Sequence, residues 1–495
     1  MEYLSTRGRA PRTDSARAVL EGLAPDGGLY MPAEFPEFDW QACLKGSSQD
    51  MATAILSALL PEIPEMRRLV ANAYTGKFET EDLTPTVSVG DYHVLELFRG
   101  PTSAFKDVAL SMLPQLMTAA RDLVGMEEEI MILTATSGDT GKAALEGFKD
   151  VPGIRICVFY PDGGVSPVQR AQMATQEGSN VAVCAIRGNF DDAQTGVKNI
   201  FTACRDKELP FRLSSANSIN IGRLAPQIMY YFRAYRDLLD RVVITLGDQV
   251  KFSVPPGNFG DILAGYLAKT LGLPVGKLLC ASNANNVLTE FLKTGRYNRI
   301  RPFYKTTSPS MDILVSSNLE RLLYLMSEDT ELVAELMSQL NHDGRYQVPD
   351  YLLTRIRNQF WGGSCGDLKG QLAIRKVWHE HRYLMDTHTA AGWAVAEDYV
   401  NQTNDKRPMV VLSTASPYKF PAAVLGAVTT PMGISMEQLT QLLKAPEGDE
   451  FTQMEQLEAL TGVPMPGNLK NLRQKPVLHT DVIDKDEMLP YVLAL

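Results

Sequence analysis

The sequence has no run of eighteen apolar residues, so nothing in it reads as a membrane-spanning helix. Its opening, MEYLSTRGRAPRTDS, is polar and shows no apolar stretch of the kind that marks a signal peptide. Cysteine is scarce and scattered. The six, at 43, 157, 184, 204, 280 and 365, form no Cys-x-x-Cys pair. That spacing argues against zinc and against a disulfide framework, and it suits reduced thiols in the cytoplasm. Of the six histidines only His379 and His381 stand close. On a helix they point about 200° apart, so no metal site is expected there. No long basic run exists. Lys and Arg number 48 against 58 Asp and Glu, interspersed, for a net charge of -10. A nucleic-acid partner needs a basic stripe, which this chain lacks.

What is present is ordinary globular composition, 45% hydrophobic and 21% charged. A chain of 495 residues makes two to four domains, or one large enzyme with insertions. Residues 1–90 mix loops with short helical stretches such as MATAILSALL. Strand–loop–helix units follow. EIMILTAT (129–136) leads through SGDTG into KAALEGFKD, and IRICVFYP (154–161) into VQRAQMATQEG. NVAVCAI (180–186) ends at a Gly-Asn-Phe turn, and KFSVPP (251–256) leads through GNFGD into ILAGYLAKTLG. Apolar strands alternating with helices predict parallel βαβ units and an α/β fold. Ligands in such sheets bind where strands end and helices begin. The tail after about 430 is richer in Pro, Glu and Gln and reads as a peripheral appendage.

Four short motifs bear on chemistry. GNFGD (257–261) opens a helix, where free N–H groups and the helix dipole favour an anion, or where the turn simply binds nothing. It lacks the G-x-G-x-x-G fingerprint of dinucleotide sites. TSGDTGK (136–142) fails as a P-loop, with Thr136 where glycine is needed and Ala143 after the lysine. Its hydroxyls would still suit a carboxylate. GGSCG (362–366) matches a nucleophile elbow formally, but YLLTRIRNQFW before it reads as helix, so a surface turn is expected. GPTSAFKD (100–107) sets a lysine between a ring and a carboxylate. Burial would lower its pKa and free an amine for attack on pyridoxal phosphate (PLP); pairing with Asp107 is the alternative.

GPTSAFKD resembles the PLP-lysine motif of threonine synthases. The resemblance extends along about 415 residues. STRG (5–8), GLAPDGGLYMP (22–32), ILTATSGDTGKAALEGF (132–148), VFYPDGGVSPVQRAQM (158–173) and GNFDDAQ (188–194) carry it. So do NSINIGRLAPQI (217–228), PGNFGD (256–261), DTHTAAG (386–392) and STASPYKFP (413–421). It implies PLP fold type II, the tryptophan synthase β-like α/β fold, with two parallel-sheet domains and the cofactor between them. The implied division is an N-terminal domain at 1–90, a core at 91–430 with a small domain about 111–220, and an appendage at 431–495. The implied reaction converts O-phospho-L-homoserine and water to L-threonine and phosphate. A lyase giving 2-oxobutyrate, phosphate and ammonia, or an inactive PLP-fold binding protein, are the alternatives. A monomer or homodimer is expected.

The resemblance implies a role for each matching residue. Lys106 is the Schiff-base lysine and proton carrier. Gly257, Asn258, Phe259, Gly260 and Asp261 form the cofactor-phosphate loop, with the Asp261 side chain expected to face away. Thr136, Ser137, Asp139 and Thr140 take the substrate carboxylate and face the cofactor ring, Asp139 near the ring hydroxyl where related enzymes have Asn. Asn217, Ser218 and Arg223 bind the substrate phosphate. Thr414, or its neighbour Ser413, faces the pyridine nitrogen. Arg99, Pro256, Asp261 and Ser416 depart from the family's common residues.

Overall fold

The computed structural model describes all residues except 137, 205–208 and 433–447. Two sheets dominate. The larger has six strands in the order Phe360–Ser364, Val275–Ser282, Val250–Val254, Met409–Ser413, Tyr92–Glu96 and Thr86–Val89. Its first five are mutually parallel, and the last is antiparallel, turning back through Gly90 and Asp91. All five residues of VKFSV (250–254) are buried, which a parallel strand covered by helices on both faces requires. The smaller sheet is wholly parallel, ordered Val482–Asp484, Val181–Arg187, Ile154–Pro161, Glu129–Ala135 and Phe211–Ser214.

The helix Lys106–Val124 links the two sheets. Pro114 lies inside it and has no N–H to offer the carbonyl of Leu110 four residues back. Gly147, on the helix Asp139–Phe148 of the smaller sheet, packs against that free carbonyl. A Cβ at 147 would stand 2.0 Å from the Leu110 oxygen, so only glycine allows the approach. On its other side the lysine helix meets the N-terminal region. The helix Met66–Tyr74 buries Met66, Leu69, Val70, Ala73 and Tyr74, an i, i+3, i+4, i+7, i+8 stripe. The Tyr74 hydroxyl donates to the Val108 carbonyl at 3.2 Å. Burying each large apolar side chain in that stripe stabilises by about 1.5–3 kcal/mol.

Two segments differ from their sequence-based expectation. After residue 430 the chain is no mere surface tail. Val482–Asp484 pairs in parallel with Val181–Arg187, and Met488 and Val492, one helical turn apart, are buried in the core of the smaller sheet. GGSCG is no surface turn either. The helix Asp350–Gln359 ends just before it, and Phe360–Ser364 is a strand in register with Leu278–Ser282. Gly362 sits 3.1 Å, measured from a notional Cβ, from the Thr289 backbone, so its glycine serves close helix packing. All six cysteines are buried and unpaired. Among the described residues no helix is long and apolar enough to cross a membrane, and no cluster could hold a metal ion.

Candidate active site

The lysine turn is fixed from several sides before any ligand is considered. Asp107 accepts from the Thr102 N–H at 2.9 Å, from the Ala104 N–H at 3.4 Å and from the Thr102 hydroxyl. The Phe105 N–H donates to the Thr414 carbonyl at 2.8 Å, and the Tyr230 hydroxyl donates to the Phe105 carbonyl at 2.5 Å. Asn468, from the C-terminal segment, donates to the Pro101 carbonyl at 2.6 Å and accepts from the Ser103 hydroxyl at 2.9 Å. Asp107 is thus spent on the turn, and burial pushes its carboxyl up to about 6 against those hydrogen bonds.

Lys106 opens the helix and is 8% exposed. Its Nζ lies 4.5 Å from the centre of the Phe105 ring, and among the described residues it makes no hydrogen bond or ion pair. Burial pushes it down to about 8; Asp139 pulls it up, and Arg223 and Lys419 push it down further.

Asp139 begins the helix after Gly138. It is buried, yet held well below the usual carboxylate range: burial raises it, but Lys419 and Lys106 outweigh that. Lys419 Nζ stands 2.7 Å from Asp139 Oδ1, and Gln169 Nε2 donates to the same oxygen at 3.0 Å. Gly138 has φ +141°, and a Cβ there would fall 2.3 Å from the Gln169 side chain. Glycine is therefore needed for Gln169 to reach Asp139. Thr136 is not free as a ligand. Its hydroxyl accepts from the N–H groups of Gly138 at 3.0 Å and Gly141 at 2.9 Å. Thr140 is half-buried; Ser137 lies outside the described residues.

The third wall is the loop into the helix Gly260–Thr270, which no side chain caps. Its first N–H groups are therefore open to an anion. Phe259 takes φ +64° and buries its ring. Asn258 is exposed, and its carbonyl accepts from the backbone and side chain of Asn318 at 3.1 and 3.2 Å. Asn318 also donates to the Ser218 hydroxyl at 3.0 Å, which ties the two loops together. Asp261 turns toward the helix Ile228–Asp240. Its Oδ1 accepts from the Tyr231 hydroxyl at 3.1 Å, while Oδ2 is buried with no partner. Burial pushes this carboxyl up to about 7.

Arg223 is the most telling residue. It is 5% exposed, and the only hydrogen bond of its guanidinium among the described residues is from Nη1 to the Ala216 carbonyl at 2.6 Å. Nε is buried without a partner, no carboxylate pairs with it, and burial pushes it down to about 10. Asn217, six residues earlier, is half-buried, and its N–H donates to the Ser215 hydroxyl at 3.2 Å. Thr414 is buried and holds Phe105 through its carbonyl; the Ser413 hydroxyl is taken by Thr389 at 2.9 Å. Arg99 is occupied by Glu96 and Glu79, Ser416 caps the turn that ends at Lys419, and the Pro256 carbonyl accepts from Phe259.

Sequence reasoning missed Lys419, Gln169, Arg321 and Asn468. Lys419 and Gln169 lie in quoted motifs, but spacing does not reveal their partner. Arg321, fully buried, donates to the carbonyls of Tyr30, Ser218 and Ile219 and to Asn318, so it pins the 217–220 loop to the N-terminal strand Tyr30–Pro32. The site thus gathers a partner-free buried amine, a partner-free guanidinium nitrogen and an uncapped helix N-terminus. That set suits two anionic groups and one electrophilic carbon.

The threonine synthase of Saccharomyces cerevisiae is 37% identical over 474 residues, 88% of this chain and 91% of the yeast protein. The chain belongs to the threonine synthase family. Two profiles of the family match it: "Threonine synthase N terminus" over residues 2–74, and "Threonine synthase, C-terminal" over residues 389–482. The Pseudomonas aeruginosa threonine synthase is 39% identical over 86% of this chain and 90% of its own. Threonine synthase-like 1 of Homo sapiens is 38% identical over 83% of this chain, but the chain spans only 58% of that protein's length. A crystal structure of PLP-bound threonine synthase from Brucella melitensis aligns with a TM-score of 0.86 at 37% identity, covering 100% of this chain and 99% of that one. The fold is therefore fold type II of the PLP enzymes.

Proposed function

We propose that this chain is a threonine synthase that converts O-phospho-L-homoserine and water to L-threonine and phosphate, with PLP as its cofactor. The observation that carries this reading is one site that holds both a buried amine, Lys106, with no hydrogen bond or ion pair among the described residues, and a buried guanidinium, Arg223, whose Nε has no partner. Bound PLP supplies an electron sink for charge at the amino acid's Cα. Lys106 would hold it, and the N–H groups from Gly257 to Gly260 would take its phosphate. Asp139 would be the charged group beside its ring, and Thr414 the hydroxyl.

The chain's own residues do the rest. With its amine pushed down to about 8, Lys106 is a base near working pH, able to take a proton from Cα and return one. Arg223 presents N–H groups to the substrate phosphate in a buried setting, where a charge-assisted pair is strong. Thr140 and the backbone at Gly138 would face the substrate carboxylate, with the Thr136 hydroxyl serving the loop's own shape. In this reading residues 1–90, 91–430 and 431–495 are the N-terminal, catalytic and C-terminal parts. The six unpaired thiols support a cytoplasmic protein.

Proton and phosphorus NMR of one reaction with O-phosphohomoserine tests the reading. Threonine and phosphate in equal amounts are expected. Phosphate with 2-oxobutyrate would move the chain to the lyase reaction, and no phosphate would overturn the substrate assignment.

Asp261 gives a separate prediction. Ionised, it would stand one residue from a bound phosphate; neutral, it would not oppose it. Because its carboxyl is raised to about 7, it is protonated below that pH and ionised above. Wild-type affinity for PLP is therefore expected to fall, relative to Asp261→Asn, as pH rises through 7. Titrating both proteins with PLP between pH 6 and 8.5 measures this; parallel curves would refute it. The same sign holds for stability. A carboxyl raised in the fold costs stability increasingly from its unfolded value up to about 7 and in full above that, so Asp261→Asn is expected to raise Tm at pH 8 more than at pH 6.

A further inference from the structure

Two lysines compete for one buried carboxylate. Lys419 comes from the turn after the strand Met409–Ser413, on the larger sheet, and its side chain is 0% exposed. Asp139 opens a helix of the smaller sheet and is 3% exposed. Their ion pair at 2.7 Å is closed by Gln169 on the carboxylate and by the Thr102 carbonyl, which accepts from Lys419 Nζ at 3.2 Å. Thr102 is in the lysine turn itself. Asp139 is close enough to Lys106 for each to shift the other's titration, yet it bonds Lys419 instead.

We propose that Lys419 is a positioning residue that keeps Lys106 a free amine, by occupying Asp139 and by adding a second positive charge beside it. An ammonium with an opposite charge beside it holds its proton; one facing a like charge releases it more easily. With Lys419 in place, Lys106 loses the ion pair and gains a repulsion. Its depressed value of about 8 agrees. The groups facing Lys106 are Asp139, Lys419, Arg223, Asp261 and Tyr230, with Asp107 on its own helix. Those facing Asp139 are Lys419, Lys106 and Gln169. Of these, only the Lys419–Asp139 pair joins the two sheets' loops directly over the lysine turn. The inference deepens the role given above to Lys106.

The test reads the amine itself, in cofactor-free full-length protein, so it does not depend on the reaction. Of an amine's two forms fluorodinitrobenzene attacks only the neutral one, and mass spectrometry of the Lys106 peptide across pH 6 to 11 gives the midpoint. Lys419→Gln keeps a donor for Asp139 and for the Thr102 carbonyl but loses the charge. A residue that merely latched the fold would leave the midpoint unchanged. Here Lys419→Gln and Lys419→Met are expected to raise it by about one pH unit or more, as an opposite charge set free beside an amine does. Lys419→Arg is expected to stay near wild type. Wild-type midpoints in folded Lys419→Gln or Lys419→Met would overturn the proposal. Should both fail to fold, Asp139→Asn decides. It leaves Lys419 uncompensated beside Lys106 and is expected to lower the midpoint, and an unchanged midpoint would overturn the proposal as well. No threonine from the PLP-loaded wild-type protein, together with a raised midpoint in Lys419→Gln, would sink the proposed reaction and leave this inference standing.

Discussion

Lys106→Met is expected to abolish threonine formation while making the cofactor-free chain more stable near neutral pH. The first half follows from the amine's place. It is the only partner-free amine among the described residues of the site, and no neighbour offers a second base in its position. Loss of a proton-transferring side chain costs about 10²–10⁴-fold, and loss of covalent anchoring of the cofactor adds to it. The second half follows from linkage. Lysine in the unfolded chain titrates at 10.5, and here at about 8. Below pH 8 the charged amine is carried in both states, and the fold bears its burial. Between 8 and 10.5 the unfolded chain holds a proton that the fold has released, so wild-type stability rises with pH. The full difference is worth about 3 kcal/mol. The variant, having no amine, lacks that cost. Its Tm is expected above wild type at pH 7, with the gap closing by pH 10.5. Calorimetry over that range measures it. A variant less stable than wild type at pH 7 would mean that Lys106 is held for packing. Retained threonine formation would remove it from the chemistry.

The sequence made the parallel units readable because both requirements of a buried strand are local. ILTA and CVFY are continuous apolar runs, and each ends in a loop rich in Gly, Ser and Asp. The glycine loops pointed to anions for the same reason. What failed was everything whose partner is far along the chain. Val482–Asp484 is a three-residue strand whose only reason to exist is an open edge some 300 residues earlier. Lys419 looked like any lysine beside aromatic residues; its burial depends on Asp139, which the fold brings from another sheet. Arg321 sits in ERLLY, where nothing local marks it as buried, yet the backbone carbonyls of Tyr30, Ser218 and Ile219 surround it. By resemblance Thr136 belongs to the loop for the substrate carboxylate. The structure turns its hydroxyl inward, to accept from Gly138 and Gly141. The GGSCG misreading has one cause: glycine marks a turn in sequence, but here it marks a strand on which a helix lies close.

Arg223→Met is expected to raise KM for O-phosphohomoserine far more than it lowers kcat, and to stabilise the chain in the absence of substrate. A buried guanidinium with one hydrogen bond and no anion is a cost to the fold. Replacing it with an apolar side chain of similar length removes that cost. The cost is tolerable only where an anion completes the arrangement, and the phosphate of the substrate is the anion that completes it. Truncating one partner of such a pair weakens binding by on the order of 2–5 kcal/mol. That corresponds to a KM about 30- to 4,000-fold higher. Arg223→Lys is expected to recover only part, because a point charge does not reproduce the planar fork. Binding without turnover gives an independent reading. Ligand that binds only the folded state raises Tm in proportion to RT ln(1 + [L]/Kd). In PLP-loaded protein, where the cofactor's own phosphate fills the loop at Gly257–Gly260, inorganic phosphate should therefore raise the wild-type Tm and leave that of Arg223→Met unmoved. An equal rise in both would place the substrate phosphate elsewhere. A lower Tm for Arg223→Met without ligand would show that the guanidinium supports the fold, and that its empty Nε is no sign of a missing anion.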